Sequence, residues 1–140
     1  MNLPTRLAID LLVRPATRSK GGQHLGLLST VRVYDPLSGH LTAISTGLGA
    51  SSAVQQLTYQ WDLLDNLTRR QDLNQTLTET FTYDTLNRLT SATLAGSAAK
   101  TYAYDSIGNI TSKSDVGSYT YASGGIRPHA VLSAGANTLY

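Results

Sequence analysis

Aspartate recurs beside turn signals along this chain, and carboxylates repeated in this way are first of all candidates for binding a cation. Asp35, Asp62, Asp84 and Asp105 follow one another at intervals of 27, 22 and 21 residues. A calcium ion needs about six to eight oxygen ligands that converge on it, usually with several carboxylates in a single loop. Each turn supplies one carboxylate at this position, so we expect each Asp to cap its own turn and predict no metal site.

The other residues with catalytic or metal-binding chemistry form no recognisable group. The histidines His24, His40 and His129 lack the paired spacing of zinc sites, and the chain has no cysteine. No serine lies in a Gly-x-Ser-x-Gly elbow. Glu79, the only glutamate, is expected to be an exposed strand residue, and His40 a solvated residue at a turn exit. The sequence therefore predicts no enzymatic activity and no cofactor.

The aromatic residues form the most regular pattern of the sequence. Every Trp, Tyr and Phe except Tyr140 lies in one of two slots just before the recurring Asp or its equivalent. Pairs such as Phe81 and Tyr83, or Tyr102 and Tyr104, are two residues apart, which places both rings on one face of a strand. Because the pairs recur at a nearly fixed interval, they predict a repeat architecture.

A turn is expected after each aromatic pair. The third residue after the Asp is Asp65, Asn87 or Gly108, and these residue types readily adopt a positive φ. The pattern predicts a three-residue hairpin loop, in which a type I turn is followed by a left-handed residue. In the first copy Pro36 suits the second turn position, and Gly39 takes the left-handed position of a loop one residue longer.

An aliphatic residue and a threonine follow each turn and begin a second strand, as at Leu67-Thr68 and Leu89-Thr90. We therefore predict an all-β fold, an antiparallel meander of tandem β-hairpin repeats of about 20 residues with open edges. The predicted structural repeat motif comprises Tyr34, Asp35, Gly39, Tyr59, Trp61, Asp62, Asp65, Phe81, Tyr83, Asp84, Asn87, Tyr102, Tyr104, Asp105, Gly108, Tyr119 and Tyr121.

Length and charge exclude several other classes of protein. A chain of 140 residues is long enough for one ordinary domain. The net charge of +2 comes without a basic stripe beside exposed aromatic residues, which argues against nucleic-acid binding. No apolar stretch is long enough to span a bilayer, and the short apolar run at 7–13 contains Asp10 and makes a poor export signal.

Residues 81–90 and 102–111 resemble the YD-repeat or RHS-repeat family. Its members include bacterial RHS polymorphic toxins, the B and C components of insecticidal toxin complexes, wall-associated proteins and teneurins. Residues 125–131 also resemble a phrase common late in bacterial arrays. The resemblance covers residues 31–140, as four full copies, a degenerate copy near 119–125 and a truncated copy at 139–140. Residues 1–30 are then a divergent or flanking segment.

This resemblance implies a β-sheet that spirals into a hollow shell, which in bacterial members encloses a C-terminal toxin domain. The chain is shorter than a closed shell requires and shows neither a toxin domain nor the protease-like motif that releases one. The expected function is a non-catalytic segment of such a shell, secreted or on the cell surface, whose partners are further YD repeats and an enclosed domain encoded outside this chain. The alternative is a carbohydrate-binding or cell-adhesion module that uses the aromatic rows, although packing against neighbouring strands is the expected role of those rows.

Overall fold

The computed structural model describes residues 7–10, 28–48, 51–122 and 127–138, and these residues form strands and turns without a helix. The strands follow one another in chain order as an open antiparallel meander, which confirms the predicted fold class. Their bounds are β1 Leu7–Asp10, β2 Leu28–Tyr34, β3 Leu41–Leu48, β4 Gln55–Trp61, β5 Leu67–Asp72, β6 Leu77–Tyr83, β7 Leu89–Leu94, β8 Lys100–Tyr104, β9 Ile110–Lys113, β10 Gly117–Tyr121, β11 Val131–Ala134 and β12 Asn137–Thr138.

Two compact units divide the chain within β6, at residues 1–79 and 80–140. In the first unit each of the strands β1 to β5 pairs with the next. In the second unit the same neighbour-to-neighbour pairing links β7 to β12. Each unit is therefore built from consecutive hairpins, as expected of a repeat that stacks on its neighbour.

The predicted flanking segment contributes a strand, because β1 pairs with β2 in a register that sets Leu7 opposite Val33. Residues 1–6 and 11–27 of that segment, with His24, lie outside the described residues, as do residues 49–50. The truncated copy at 139–140 also lies outside them, as do residues 123–126, which include the end of the degenerate copy near 119–125. Within the described part of the chain, no helix is long and apolar enough to cross a membrane.

The sheet has almost no sealed interior in the described residues. No hydrophobic side chain is fully buried, and the buried polar residues are Thr46 and Asn109. Along β8 the aromatic rings of Tyr102 and Tyr104 are half-buried, while Ala103 between them is exposed. The strands therefore have one aromatic face of moderate burial, and cross-strand pairs and hydrogen bonds contribute much of the stability of the sheet.

A β-bulge follows the Asp turn in most copies, and the recurring threonine occupies it. Trp61 is opposite Leu67 but Gln60 is opposite Arg69, so Thr68 is the extra residue of its strand. The Thr68 hydroxyl donates to the Gln60 carbonyl at 3.2 Å. Thr42 and Thr111 occupy the equivalent bulges after the first and fourth turns. The aliphatic-Thr signature thus marks a bulge as well as the start of a strand.

Candidate functional site: the Asp turns and the contacts between repeats

Hydrogen bonds within the loop close three of the Asp turns in the same way. At the second turn the Asp62 N–H donates to the Asn66 carbonyl at 2.9 Å, and the Asp65 N–H donates to the Asp62 carbonyl at 3.3 Å. The turns at Asp84 and Asp105 repeat both bonds. The left-handed positions have φ of 66° at Asp65, 59° at Asn87 and 93° at Gly108. This geometry is that of a three-residue loop that ends in a left-handed residue.

The first turn is one residue longer. The Asp35 N–H donates to the His40 carbonyl at 2.8 Å, and the Gly39 N–H donates to the Asp35 carbonyl at 2.9 Å. Gly39 has φ of 77° and no atom within 4 Å of the place where a side chain would begin. Glycine is therefore favoured here by backbone conformation and not by lack of space.

Each Asp carboxylate caps its own turn. The Oδ1 of Asp105 accepts the backbone N–H of Ile107 at 3.0 Å and of Asn109 at 2.8 Å, and its Oδ2 accepts the Asn109 side-chain amide at 2.9 Å. Asp62 makes the same three bonds with Leu64 and Asn66. The oxygens are thus engaged by donors within the turn, which is the arrangement of a structural cap.

These hydrogen bonds favour the charged carboxylates. The backbone N–H of Ser38 lowers the pKa of Asp35, and the backbone N–H of Asn66 lowers the pKa of Asp62. The backbone N–H of Arg88 does the same for the pKa of Asp84. At Asp105 burial opposes the charge, but the hydrogen bonds from Asn109 and its neighbours outweigh it, and the pKa is again lowered.

In the first, third and fourth copies, the residue at the turn exit, which directly follows the left-handed position, contacts groups beyond its own turn. His40 occupies this exit slot in the first copy. Its ring stacks on Trp61 with centroids 4.7 Å apart, and its Nε2 lies 3.0 Å from a carboxylate oxygen of Asp65. The expectation of a solvated His40 is therefore wrong, because Trp61 and Asp65 of the next copy cover it.

Arg88 fills the exit slot of the third copy and contacts two successive turns. Its Nε donates to Oδ2 of Asp84 at 2.7 Å, within its own turn. Its Nη1 donates to the backbone carbonyl of Asp105 at 2.9 Å, and its guanidinium lies 4.7 Å from the centre of the Tyr104 ring. The planar guanidinium thus joins two successive turns through separate donors.

Asn109 holds the exit slot of the fourth copy and is 7% exposed. Its amide nitrogen donates to Asp105 Oδ2 and to the Pro128 carbonyl at 3.1 Å, and its Oδ1 lies 2.6 Å from Nδ1 of His129. Pro128 and His129 belong to the segment that resembled the late-array phrase. His129 is therefore the partner of Asn109, which also bonds to the capping residue Asp105.

The residue in the second aromatic slot bonds to the preceding copy, whereas the turn-exit residues contact groups further along the chain. The Tyr104 hydroxyl donates to the Leu89 carbonyl at 2.8 Å, and the Tyr121 hydroxyl donates to the Ile110 carbonyl at 2.9 Å. In the first unit, Nε1 of Trp61 donates to the Leu41 carbonyl at 2.9 Å. Each acceptor is the first residue after the turn of the preceding copy. This relation was not predicted from the sequence. Its signal is an aromatic side chain with an N–H or O–H donor, Trp or Tyr, at the second position of each pair.

The remaining aromatic residues of the predicted motif are half-buried on the sheet. Tyr59, Phe81, Tyr102 and Tyr119 occupy the first aromatic slot and are half-buried, as are Tyr34 and Tyr83 in the second. Lys113 lies 5.8 Å from the centre of the Tyr102 ring. Glu79 is partly shielded and accepts a 2.6 Å hydrogen bond from Nε of Arg70, so the expectation of an exposed residue is wrong.

Two observations on the described residues concern metal and ligand binding. No three His, Asp or Glu side chains among them converge to hold a metal ion. A shallow pocket of about 190 Å³ lies in the first unit between Asp35, Tyr59 and Trp61. Pockets that bury small molecules usually measure about 300–1,000 Å³.

Comparison with known proteins gives one family match. Residues 83–125 match the model of the RHS Repeat family. That range contains the end of the third aromatic pair, the turns at Asp84 and Asp105, and the residues Arg88, Tyr104, Asn109 and Tyr121. A search of curated proteins found no match.

Proposed function

Because residues 83–125 match the RHS Repeat model, we propose that this chain is a structural, non-catalytic segment of an RHS β-shell that encloses or scaffolds a toxin or surface domain encoded outside it. The match of residues 83–125 to the RHS Repeat model supports a role as a structural repeat module. The proposal of an enclosed domain goes further and rests on the resemblance of the Asp-turn motifs to those of bacterial RHS toxins.

The proposal rests mainly on the polar groups of the motif, which form hydrogen bonds within the turns and between consecutive repeats. Asp105 caps its turn, Asn109 links that cap to His129, and the Tyr121 hydroxyl bonds to the Ile110 carbonyl. Among the buried side-chain nitrogen and oxygen atoms of the described residues, none lacks a hydrogen-bond partner. A site for catalysis or cation binding needs uncommitted groups aimed at a ligand, whereas these groups are committed to the array.

The same contacts favour a scaffold over a carbohydrate-binding module. Sugar recognition by aromatic rows requires open ring faces. His40 stacks on one face of Trp61, and the guanidinium of Arg88 lies over Tyr104. These rings are half-buried within the sheet and hydrogen-bonded to the preceding repeat.

Further YD repeats and an enclosed domain are the partners that this function requires. We propose that the assembled protein acts outside the cytoplasm, secreted or on the cell surface, since members of the RHS-repeat family are typically found there. Neither a cofactor nor a nucleic acid enters the proposal, because the chemistry of the array is packing and hydrogen bonding.

The reading frame around this chain provides the first test. Sequencing of the flanking DNA is expected to show more Asp-turn repeats on both sides and an unrelated domain after the last repeat. Protease treatment of the whole gene product should then spare that domain and digest it once the shell is unfolded in denaturant. A frame without further repeats, or a C-terminal domain digested as fast in the native product as in the unfolded one, would contradict the proposal.

Screening of the isolated chain against a glycan array tests the alternative. We expect no saccharide to bind. Binding that is lost in Trp61→Ala and retained in Leu73→Ala would instead favour the carbohydrate-binding module.

A further inference from the structure

Three Asn-x-Thr triplets lie in or directly after turns of this chain, and such a triplet is the acceptor pattern for N-linked glycosylation. They are Asn66-Leu67-Thr68, Asn74-Gln75-Thr76 and Asn109-Ile110-Thr111. The first and third begin at the exit residue of an Asp turn, whereas the second lies in the turn between β5 and β6. In the folded chain a sugar can be attached only to a side-chain amide that is exposed, so the structure separates the three.

The amide of Asn109 is fully committed to the fold. Asn109 is 7% exposed, and its amide nitrogen donates to Oδ2 of Asp105 at 2.9 Å and to the Pro128 carbonyl at 3.1 Å. An asparagine amide has two hydrogens, and both are donated here. A sugar on this nitrogen would replace one of them and would have to fit at a buried position, which excludes Asn109 as an acceptor in the folded chain.

Asn66 is also engaged within its turn. It is half-buried, and its amide nitrogen donates to Oδ2 of Asp62 at 3.0 Å. The hydroxyl of Thr68, which completes this triplet, donates to the Gln60 carbonyl at 3.2 Å. Both groups that the acceptor pattern requires are therefore in use in the folded chain.

Asn74 lies instead at the exposed tip of its turn. Residues 73–77 are exposed, and the Asp72 carboxylate holds the turn by accepting the backbone N–H groups of Asn74 at 3.0 Å and of Gln75 at 3.1 Å. The Asn74 amide nitrogen donates to the Ser52 carbonyl at 2.9 Å, and no second acceptor for it is found among the described residues. Since an N-linked amide keeps one hydrogen, a sugar on Asn74 leaves a donor for the Ser52 carbonyl.

The threonine of this exposed triplet has a backbone conformation that suits it poorly. Thr76 has φ of 54°, a left-handed value that β-branched residues rarely adopt. Gly117 follows the end of β9 by as many residues as Thr76 follows the end of β5, and its φ is 112°. Glycine would meet the demand of the turn, whereas the acceptor pattern requires a hydroxyl residue. A strained residue that the turn itself does not call for is a sign of function.

We propose that Asn74 is an acceptor site for N-linked glycosylation from a lipid-diphosphate-linked oligosaccharide. A bond forms between Nδ2 of Asn74 and C1 of the first sugar, while the bond between that carbon and the diphosphate of the donor breaks. The amide gives up one proton to the transferase, and the lipid diphosphate leaves. The site rests on the geometry of this turn and not on the proposed shell. N-linked sugars lie on surface loops of secreted proteins, which agrees with the proposed location outside the cytoplasm.

Incubation of the folded chain with a purified oligosaccharyltransferase and a lipid-diphosphate-linked oligosaccharide tests this site. We expect one glycan per chain, seen as a single upward shift on a denaturing gel, and peptide mass spectrometry should place it on Asn74. Asn74→Gln should abolish the shift, because glutamine does not match the acceptor pattern. Asn66→Gln is the matched control and should be modified as fully as the unsubstituted chain.

Two replacements of Thr76 separate its hydroxyl from its shape. Thr76→Ser keeps the hydroxyl and should be glycosylated, whereas Thr76→Val keeps the branched shape and should not. Circular dichroism of the Asn74 and Thr76 variants should match that of the unsubstituted chain, because both residues are exposed. A folded chain that takes no glycan would overturn the proposal. A glycan that maps to Asn66 or Asn109 and not to Asn74, or full modification of the Val variant, would do the same.

Discussion

The Tyr104 hydroxyl donates a 2.8 Å hydrogen bond to the backbone carbonyl of Leu89, the first residue of the strand that follows the turn of the preceding repeat. Tyr121 relates to Ile110 in the same way. The second aromatic of each of these pairs therefore does two things: its ring packs on the sheet and its hydroxyl fixes the position of the previous copy. Along with the exit-slot residues His40, Arg88 and Asn109, these contacts tie neighbouring repeats together within each unit.

Replacing Tyr104 by Phe isolates the hydrogen bond, because the ring and its packing remain. We expect the free energy of unfolding to fall by about 0.5–1.5 kcal/mol, the usual net contribution of one hydrogen bond to stability. Urea titration of the purified chain measures the change. Tyr102→Phe is the matched control, since no hydrogen bond of that hydroxyl is found among the described residues, and it should change the stability by less than Tyr104→Phe does.

Arg88 and Tyr104 should be energetically coupled, because the guanidinium lies 4.7 Å from the ring centre. A double-mutant cycle with Arg88→Ala and Tyr104→Phe keeps the ring and is expected to show little coupling. The cycle with Arg88→Ala and Tyr104→Ala should show about 0.5–1 kcal/mol, as for cation–π pairs at partly exposed sites. Equal coupling in both cycles would mean that the ring face is not the partner of Arg88.

A β-branched residue should not be tolerated at Gly108, where φ is 93°. Gly108→Val is expected to lower the free energy of unfolding by about 1–3 kcal/mol through backbone strain, since nothing within 4 Å blocks a side chain there. Gly108→Asn provides the control, because Asn87 occupies the equivalent position with φ of 59°. Equal losses in Val and Asn variants would show that positive φ is not the constraint.

Acid should destabilise the sheet through the Asp caps. Hydrogen bonds hold the pKa of Asp35, Asp62 and Asp84 below the ordinary value of 3.8. The folded state therefore binds protons less readily than the unfolded state. The stabilisation is fully present above about pH 4 to 5 and is lost as the pH falls below 3.8 through the lowered values.

Urea titrations between pH 6 and pH 2 measure this loss. Asp35→Asn should lose less stability over that range than the unsubstituted chain does. The amide oxygen of Asn can still accept the N–H groups of Leu37 and Ser38, but the side chain no longer titrates. A loss of stability as steep as that of the unsubstituted chain would show that Asp35 does not contribute to the acid sensitivity.

The fold was predictable from sequence because its signals are local. The alternation of Tyr102, Ala103 and Tyr104 specifies a strand, and the five residues from Asp105 to Asn109 contain every group that closes the following turn. The positive φ at Gly108 and Asn87 was indicated by residue type together with position after the Asp, since Gly and Asn readily adopt it. A meander requires only that such hairpins follow one another along the chain.

The contacts between repeats could not be predicted in this way, because their partners are distant in sequence. His40 and Trp61 are 21 residues apart, and Arg88 bonds to a carbonyl 17 residues away. The exit slot contains His, Asn or Arg, and this variety indicated a tolerant surface position. In the structure His40, Arg88 and Asn109 each contact groups beyond their own turn, and each does so through different atoms. The bulge at Thr68 was missed for a similar reason, because it shows only when the opposite strand is paired.

The central claim is that the aromatic-Asp repeat is a packing device that stabilises the array. The free energy of unfolding of Tyr104→Ala tests it most directly. A core aromatic replaced by Ala costs about 3–5 kcal/mol, and since Tyr104 is only half-buried we expect a loss of about 2 kcal/mol. A loss below about 0.5 kcal/mol, within the range of ordinary surface substitutions, would contradict the claim.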